Sequence, residues 1–151
     1  MGNIYEIKPY ERKVYYYETD RMGIVHHSNY IRWFEEARDD FMVQIGCPCD
    51  ELEEEGIMIP VLSVSSTYKK AFTYGETFSV TIIPKAFNGI KILMEYEVRN
   101  KENGEIYNIG KSSHCFVDTN MRPILLKKQK PKLYELLDRY FISNKLTQKD
   151  M

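Results

Sequence analysis

The chain has 151 residues, 43% of them hydrophobic and 28% charged, with a formal net charge of −1. That is enough for one domain with a buried sheet and helix, and too little for two full cores. Its longest nearly unbroken apolar stretch, Gly56 to Leu62, falls far short of the roughly 20 residues that cross a bilayer as a helix, and Met1–Glu6 carries neither a basic nor an apolar leader segment. Membrane spanning and secretion are therefore not expected, and the cytoplasm is the expected location.

A first strand is expected over about Arg12 to Tyr17, with Glu18 at its end facing solvent. A long helix follows over about Asn29 to Gln44, where Tyr30, Trp33, Phe34, Ala37 and Phe41 fall on one stripe of 3.6-residue period. Ser28 or Asn29 supplies the N-cap and Gly46 stands just past the end. Glu36, Asp39 and Asp40 face away from the stripe. Cys47-Pro48-Cys49 lacks the two-residue spacer of metal knuckles and redox motifs. With three cysteines in all and three histidines, neither a disulfide framework nor a metal site is expected.

After an acidic helical turn (Asp50 to Glu55) and Pro60, the pattern turns to strands. Val61 to Lys70 is rich in Val, Ser, Thr and Tyr, and Phe78, Val80 and Ile82 fall at every second residue. Asn88-Gly89 reads as a two-residue type I′ turn with both residues at positive φ. Ile92, Met94, Tyr96 and Val98 then alternate with a largely polar face, and Asn103-Gly104 turns the chain into a last strand from about Ile106 to Asp118. Pro131 opens a closing helix with Leu133, Leu136, Leu137 and Phe141. The order gives an α+β domain spanning 1–151, an antiparallel sheet of about five strands wrapped around the apolar helix. Open sheet edges point to pairing between copies.

The unusual residues concentrate between the first strand and the helix. Glu18, Asp20, Gly23, His26, His27 and Ser28 precede a helix N-terminus, whose N–H donors and partial positive charge suit an oxyanion forming on a carbonyl. Asp20 could attack that carbonyl or activate a water, and Gly23 lets the backbone approach a ligand. From the residues alone a second reading stays open: Asp20 as a turn residue and the histidines as capping or surface groups. Net charge is −5 over residues 1–75 and +4 over 76–151, the basic excess gathering at Arg122, Lys127, Lys128, Lys130 and Lys132. That scale suits a small polyanion. A pI of 6.3, tyrosines scattered along strands and no groove-reading motif argue against nucleic acid.

The stretch Tyr16 to Arg38 (YYETDRMGIVHHSNYIRWFEEAR) resembles the signature of hot-dog-fold acyl-CoA thioesterases of the 4-hydroxybenzoyl-CoA and Tol–Pal-associated type: T-D-x-x-G, a histidine at the helix start, and an E-x-A-R helix. Looser matches follow at Tyr74-Gly75-Glu76, Phe116-Val117-Asp118 and Arg122-Pro123. The resemblance implies an acyl-CoA thioesterase without a cofactor. Asp20 would be its catalytic carboxylate, as nucleophile or general base, and His27 would stand where a backbone N–H meets the thioester carbonyl. Tyr16, Gly23, Ser28 and Arg122 would contact substrate. His26, Met22 and Met121 depart from the family pattern, which bears on acyl-chain preference. Implied partners are acyl-CoA or acyl-carrier protein, with the chain as a dimer or tetramer. The alternative within this fold is a non-hydrolytic acyl-CoA or acyl-carrier-protein binding protein.

Overall fold

Alternating side chains and Asn/Gly turns build one antiparallel sheet, which the computed structural model describes together with its helices over residues 6–141. The reading of Met1–Tyr5 and the ends of the 1–151 domain lie outside the described residues. The strands are β1 (Tyr10–Lys13), β2 (Val61–Tyr68), β3 (Thr77–Phe87), β4 (Lys91–Asn100) and β5 (Ile106–Cys115), in spatial order β1-β3-β4-β5-β2. The helices are α1 (Ser28–Gln44), α2 (Cys49–Glu54), α3 (Leu126–Gln129) and α4 (Pro131–Tyr140). This is the expected hot-dog arrangement, with α1 packed on the sheet.

The apolar stripe of α1 makes the core. Tyr30, Trp33, Phe34, Ala37 and Phe41 are all buried. Trp33 lies flat on Phe78 at 3.8 Å between ring centroids, and Phe34 lies flat on Tyr96 at 4.4 Å. Gly110 of β5 makes the second stack possible, because a Cβ there would run into the Phe34 ring. Along β4, Ile92, Met94, Tyr96 and Val98 alternate inward as the sequence pattern implies. Pro84 is tolerated within β3 because β1 pairs only with Thr77–Val80, which leaves the neighbouring edge open. At the far edge, β2 exposes almost every side chain, among them Val61, Leu62 and Val64.

Local chemistry moves several boundaries. The first strand ends at Lys13, and Tyr16–Glu18 form a 3₁₀ turn, because the Glu18 carboxylate turns inward instead of facing solvent. The hairpin after β3 has three connecting residues. Asn88 Oδ1 accepts from the N–H groups of Ile90 and Lys91 (2.9 and 2.8 Å), so only Gly89 needs a positive φ, at 87°. That Asx turn replaces the expected type I′ geometry. The last strand stops at Cys115, and β2 stops at Tyr68. Neither Ser28 nor Asn29 caps α1, which begins at Ser28 with His27 ahead of it. Glu36 is half-buried and bonded to β1 rather than turned away from the fold. Among the described residues no helix is long and apolar enough to cross a membrane.

Candidate active site

The loop between β1 and α1 closes on itself. Asp20 N–H donates to the Ile24 carbonyl (2.8 Å) and Gly23 N–H to the Asp20 carbonyl (3.0 Å). Gly23 takes a φ of 79°, a conformation that a side chain would strain. Asp20 Oδ1 accepts from Met22 N–H at 2.8 Å, which orients the carboxylate. Val25 N–H then reaches the Phe72 carbonyl (2.9 Å), fastening the loop to the segment between β2 and β3.

Beneath this loop lies a charged clamp that the sequence pattern did not reveal. Glu18 is 3% exposed. Its Oε1 accepts from Arg12 Nη1 (2.9 Å) and Tyr15 N–H (2.8 Å), and its Oε2 from Arg12 Nη2 and Trp33 Nε1 (both 2.8 Å). Burial alone would raise the Glu18 carboxyl pKa. The hydrogen bonds from Arg12, Trp33 and Tyr15 outweigh it and hold the group below its ordinary value. Arg12 also grips Glu36 of α1, through Nε at 2.8 Å and Nη2 at 3.1 Å. An acid two residues ahead of Asp20, in a chain with one arginine on β1 and one tryptophan on α1, was the available signal.

Asp20 and His27 line one cleft of about 330 Å³, with Met22, Tyr30, Tyr68 and Lys69 also in its wall. The His27 ring is exposed and stacks on His26 at 4.1 Å, while its carbonyl accepts from Tyr68 Oη (3.2 Å). Its N–H, at the mouth of α1, has no acceptor among the described residues, whereas the His26, Ser28 and Asn29 N–H groups each have one. The helix start therefore carries one uncommitted N–H and its positive end beside the cleft that holds a carboxylate. That pairing suits attack on a carbonyl and stabilisation of the oxyanion.

The other expected site residues are distributed differently. Gly23 forms the turn beside Asp20. Ser28 Oγ is engaged with His26 Nδ1 at 2.9 Å. Tyr16 is 75% exposed and packs edge-on to Tyr74 rather than lining the cleft. Arg122 lies beyond the far end of β5, inside the turn that the Val117–Pro123 bridge closes, and does not line the cleft of its own chain. Of the expected cationic cluster, Lys130 pairs with Glu55 (2.7 Å) and Lys127 lies over the Tyr134 ring. Lys69 and Lys70, which were not singled out from sequence, are exposed cations at the cleft, Lys70 pairing with Glu105 at 2.6 Å.

A second cavity of about 330 Å³ opens at the other end of β2, between α1, α2 and the sheet. A chain of hydrogen bonds joins two residues of its wall, Arg38 and His114. Arg38 Nη1 donates to Tyr96 Oη (3.1 Å), Tyr96 meets Ser112 Oγ, and Ser112 meets His114 Nε2 at 2.8 Å. The imidazole also bonds the Pro60 carbonyl, which can only accept. With the ring proton assigned there, Nε2 accepts from Ser112 and each group donates to the next. Burial, reinforced by the Arg38 charge, lowers the His114 pKa to about 4 despite that carbonyl, so the ring is neutral at pH 7.

The family model described as the Thioesterase-like superfamily matches residues 14–139. The chain belongs to this superfamily. At the family level its chemistry is that of a thioester hydrolase acting on acyl-CoA. Among its relatives, the Bacillus subtilis protein named "Putative acyl-CoA thioesterase YneP" is 37% identical over 122 residues, 80% of this chain and 88% of that protein. The 1,4-dihydroxy-2-naphthoyl-CoA hydrolase of Thermosynechococcus vestitus is 26% identical over 72% of this chain and 74% of its own. The DHNA-CoA thioesterase structure from Staphylococcus aureus superposes with a TM-score of 0.86 at 29% identity, covering 90% of this chain and 91% of that one. The superfamily is thus shown; similar proteins named for a substrate include dihydroxynaphthoyl-CoA, gentisyl-CoA and acyl–acyl-carrier-protein thioesterases, and the narrower 4-hydroxybenzoyl-CoA or Tol–Pal type is not shown.

Proposed function

We propose that this thioesterase hydrolyses its acyl-CoA in the Asp20 cleft. The observation that carries this reading is the joint presence there of an oriented carboxylate and the uncommitted His27 N–H. The thioester carbonyl sits against the His27 N–H at the positive end of α1. Asp20 attacks the carbonyl carbon, or takes a proton from a water that does. The C–S bond breaks and the sulfur leaves with a proton as free coenzyme A. On the water route the carboxylic acid forms directly. On the nucleophilic route an acyl–Asp20 anhydride remains, which a water attacking the Asp20 carboxyl carbon opens to the acid and the free carboxylate. A single turnover in ¹⁸O-water separates the two routes: a nucleophilic Asp20 passes its own oxygen to the first product, and a general base passes the label. The 1–151 chain acts in this reading as one hot-dog domain.

Substrate choice and assembly are part of the same proposal. The signature at Tyr16–Arg38 resembles that of enzymes acting on 4-hydroxybenzoyl-CoA, and two of the similar proteins named above are dihydroxynaphthoyl-CoA thioesterases. Both substrates are hydroxyaryl thioesters, so that class is the first expected substrate. The exposed edge strand β2 is suited to antiparallel pairing with a second copy. Pairing about the middle of β2 brings the Asp20 end of one copy against the cavity end of the other. Within one chain those ends are separated by the length of β2, roughly 25 Å. The acyl group then has a cavity to enter, and Arg122, remote from Asp20 in its own chain, stands near the neighbouring cleft to meet coenzyme A phosphates.

The test is free-thiol release from a panel of hydroxyaryl, aliphatic and unsubstituted aryl CoA thioesters. Turnover that is lost on Asp20→Asn supports the reading. Tight binding of acyl-CoA without turnover favours the non-hydrolytic alternative. Turnover of acyl-carrier-protein thioesters alone moves the carrier from coenzyme A to that protein.

A further inference from the structure

We propose that Glu18 is a positioning residue for the reaction, setting the backbone that carries both Asp20 and the His27 N–H. The inference rests on the roles given to those two groups. Glu18 is held from two sides. Its carboxylate receives four hydrogen bonds, two from Arg12, one from Trp33 and one from the Tyr15 N–H. Its carbonyl receives two more, from His26 N–H at 2.8 Å and Asn29 Nδ2 at 2.9 Å. The side chain is thereby anchored to β1 and to the second turn of α1, while the main chain holds the residue just ahead of His27 and the first turn of that helix. Asp20 follows two residues later. A rotation of the Glu18 peptide moves the carboxylate and the oxyanion donor together.

Stability alone does not account for a charge at this place. Buried ion pairs are often matched or bettered by apolar residues of similar volume, because desolvation offsets much of the attraction. The Trp33 and Phe78 rings pack flat immediately beside the clamp, so an apolar solution was within reach of this core. What the carboxylate adds is direction, with four donors fixing one rotamer and with it one orientation of the peptide that follows. Reacting groups misplaced by about 1 Å can lose on the order of 10²-fold in rate, so such direction has kinetic value.

Trp33 is the only tryptophan of the chain and its indole N–H bonds Glu18, so its emission reports the clamp directly. The experiment compares wild type with Glu18→Gln on an acyl-CoA that the wild type hydrolyses. It reads kcat, KM, Trp33 emission and amide hydrogen exchange. The expected result is a kcat lower by roughly 10- to 100-fold, a KM within about threefold, shifted Trp33 emission, and faster exchange at the His26 amide with unchanged exchange at Phe41 in the middle of the core. Asn29→Ala approaches the same carbonyl without touching the buried charge, and serves if Glu18→Gln does not fold. It lowers kcat in the same direction, and where both variants fold their effects are less than additive. Wild-type kcat in a folded Glu18→Gln protein overturns the positioning role, as does a loss explained wholly by the unfolded fraction. Absence of wild-type turnover overturns the thioesterase reading instead, and the exchange at His26 then still tests whether Glu18 holds the loop.

Discussion

At the N-terminal end of α1 the buried polar groups are charged and tether a loop; around Arg38, further along the same helix, they form a mostly neutral relay and line a cavity. Glu18 stays ionised because Arg12, Trp33 and a backbone N–H outweigh the cost of burying it. His114 stays neutral because nothing offsets its burial except one carbonyl, with Arg38 pushing the same way. The difference teaches what each region requires. A loop that must present a carboxylate and an N–H in one geometry is held by strong, directional, charge-assisted bonds. Part of the cavity wall, the neutral His114 with Ile92, Met94 and Phe116, is uncharged and accepts an apolar group without stripping water from an ion, whereas Glu35, Arg38, Asp39 and Glu53 bring charges to the rest of it.

The glycines offer the sharpest contrast between the two regions. Gly110→Ala drives a Cβ into the Phe34 ring and should lower Tm by roughly 3–10 °C, the scale of an overpacked core in a chain of this size. Gly23 has open space around it but a φ of 79°. Gly23→Ala is therefore expected to change Tm less and kcat more, measured by thermal unfolding and thiol release on both variants. Equal effects of the two substitutions on Tm and on kcat would erase the distinction.

Acid separates the networks next. The unfolded chain protonates His114 near pH 6.5, whereas the folded chain resists until about pH 4. Protons thus favour the unfolded state as pH falls through that window, and stability drops by up to about 3 kcal/mol. Glu18 has the opposite kind of shift. Its contribution is fully present above the ordinary carboxyl pKa and is lost only as pH falls through its lower folded value. Denaturant unfolding at stepped pH should show the loss from pH 6.5 to 4 in the wild type and a flatter profile there in His114→Gln. An unchanged slope in that variant would remove His114 from the account.

The smallest expected effect lies at Arg122. Arg122→Glu should raise KM for acyl-CoA by a few-fold, more so at low salt, with kcat retained, as fits a screened phosphate contact from a neighbouring copy. A KM that ignores both the substitution and the salt would separate Arg122 from the cleft.

Much of the architecture is legible in the sequence because it follows from periodicity. The Tyr30–Phe41 stripe and the Ile92–Val98 alternation each bury the side chains that their period selects. Turn chemistry was legible in place but not in type, because Asn88 can satisfy the turn with its side chain and so need not adopt a positive φ. The candidate site was legible at Asp20 and His27, which are neighbours along the chain. Glu18 was not, because its partners lie 6 and 15 residues away and its own setting in an aromatic run resembles a strand end. The relay at His114 was hidden for a different reason. The inward face of β5 is Asn108, Gly110, Ser112 and His114, which reads as a polar face. It is buried because Phe34 needs the room over Gly110 and Tyr96 needs a hydroxyl partner.

The most direct test is thiol release from a hydroxyaryl-CoA by wild type and Asp20→Asn under single-turnover conditions, with unfolding midpoints measured on the same preparations. The account predicts equal folding and a rate at least about 10²-fold lower in the variant. A folded Asp20→Asn protein that cleaves the thioester at the wild-type rate would contradict it.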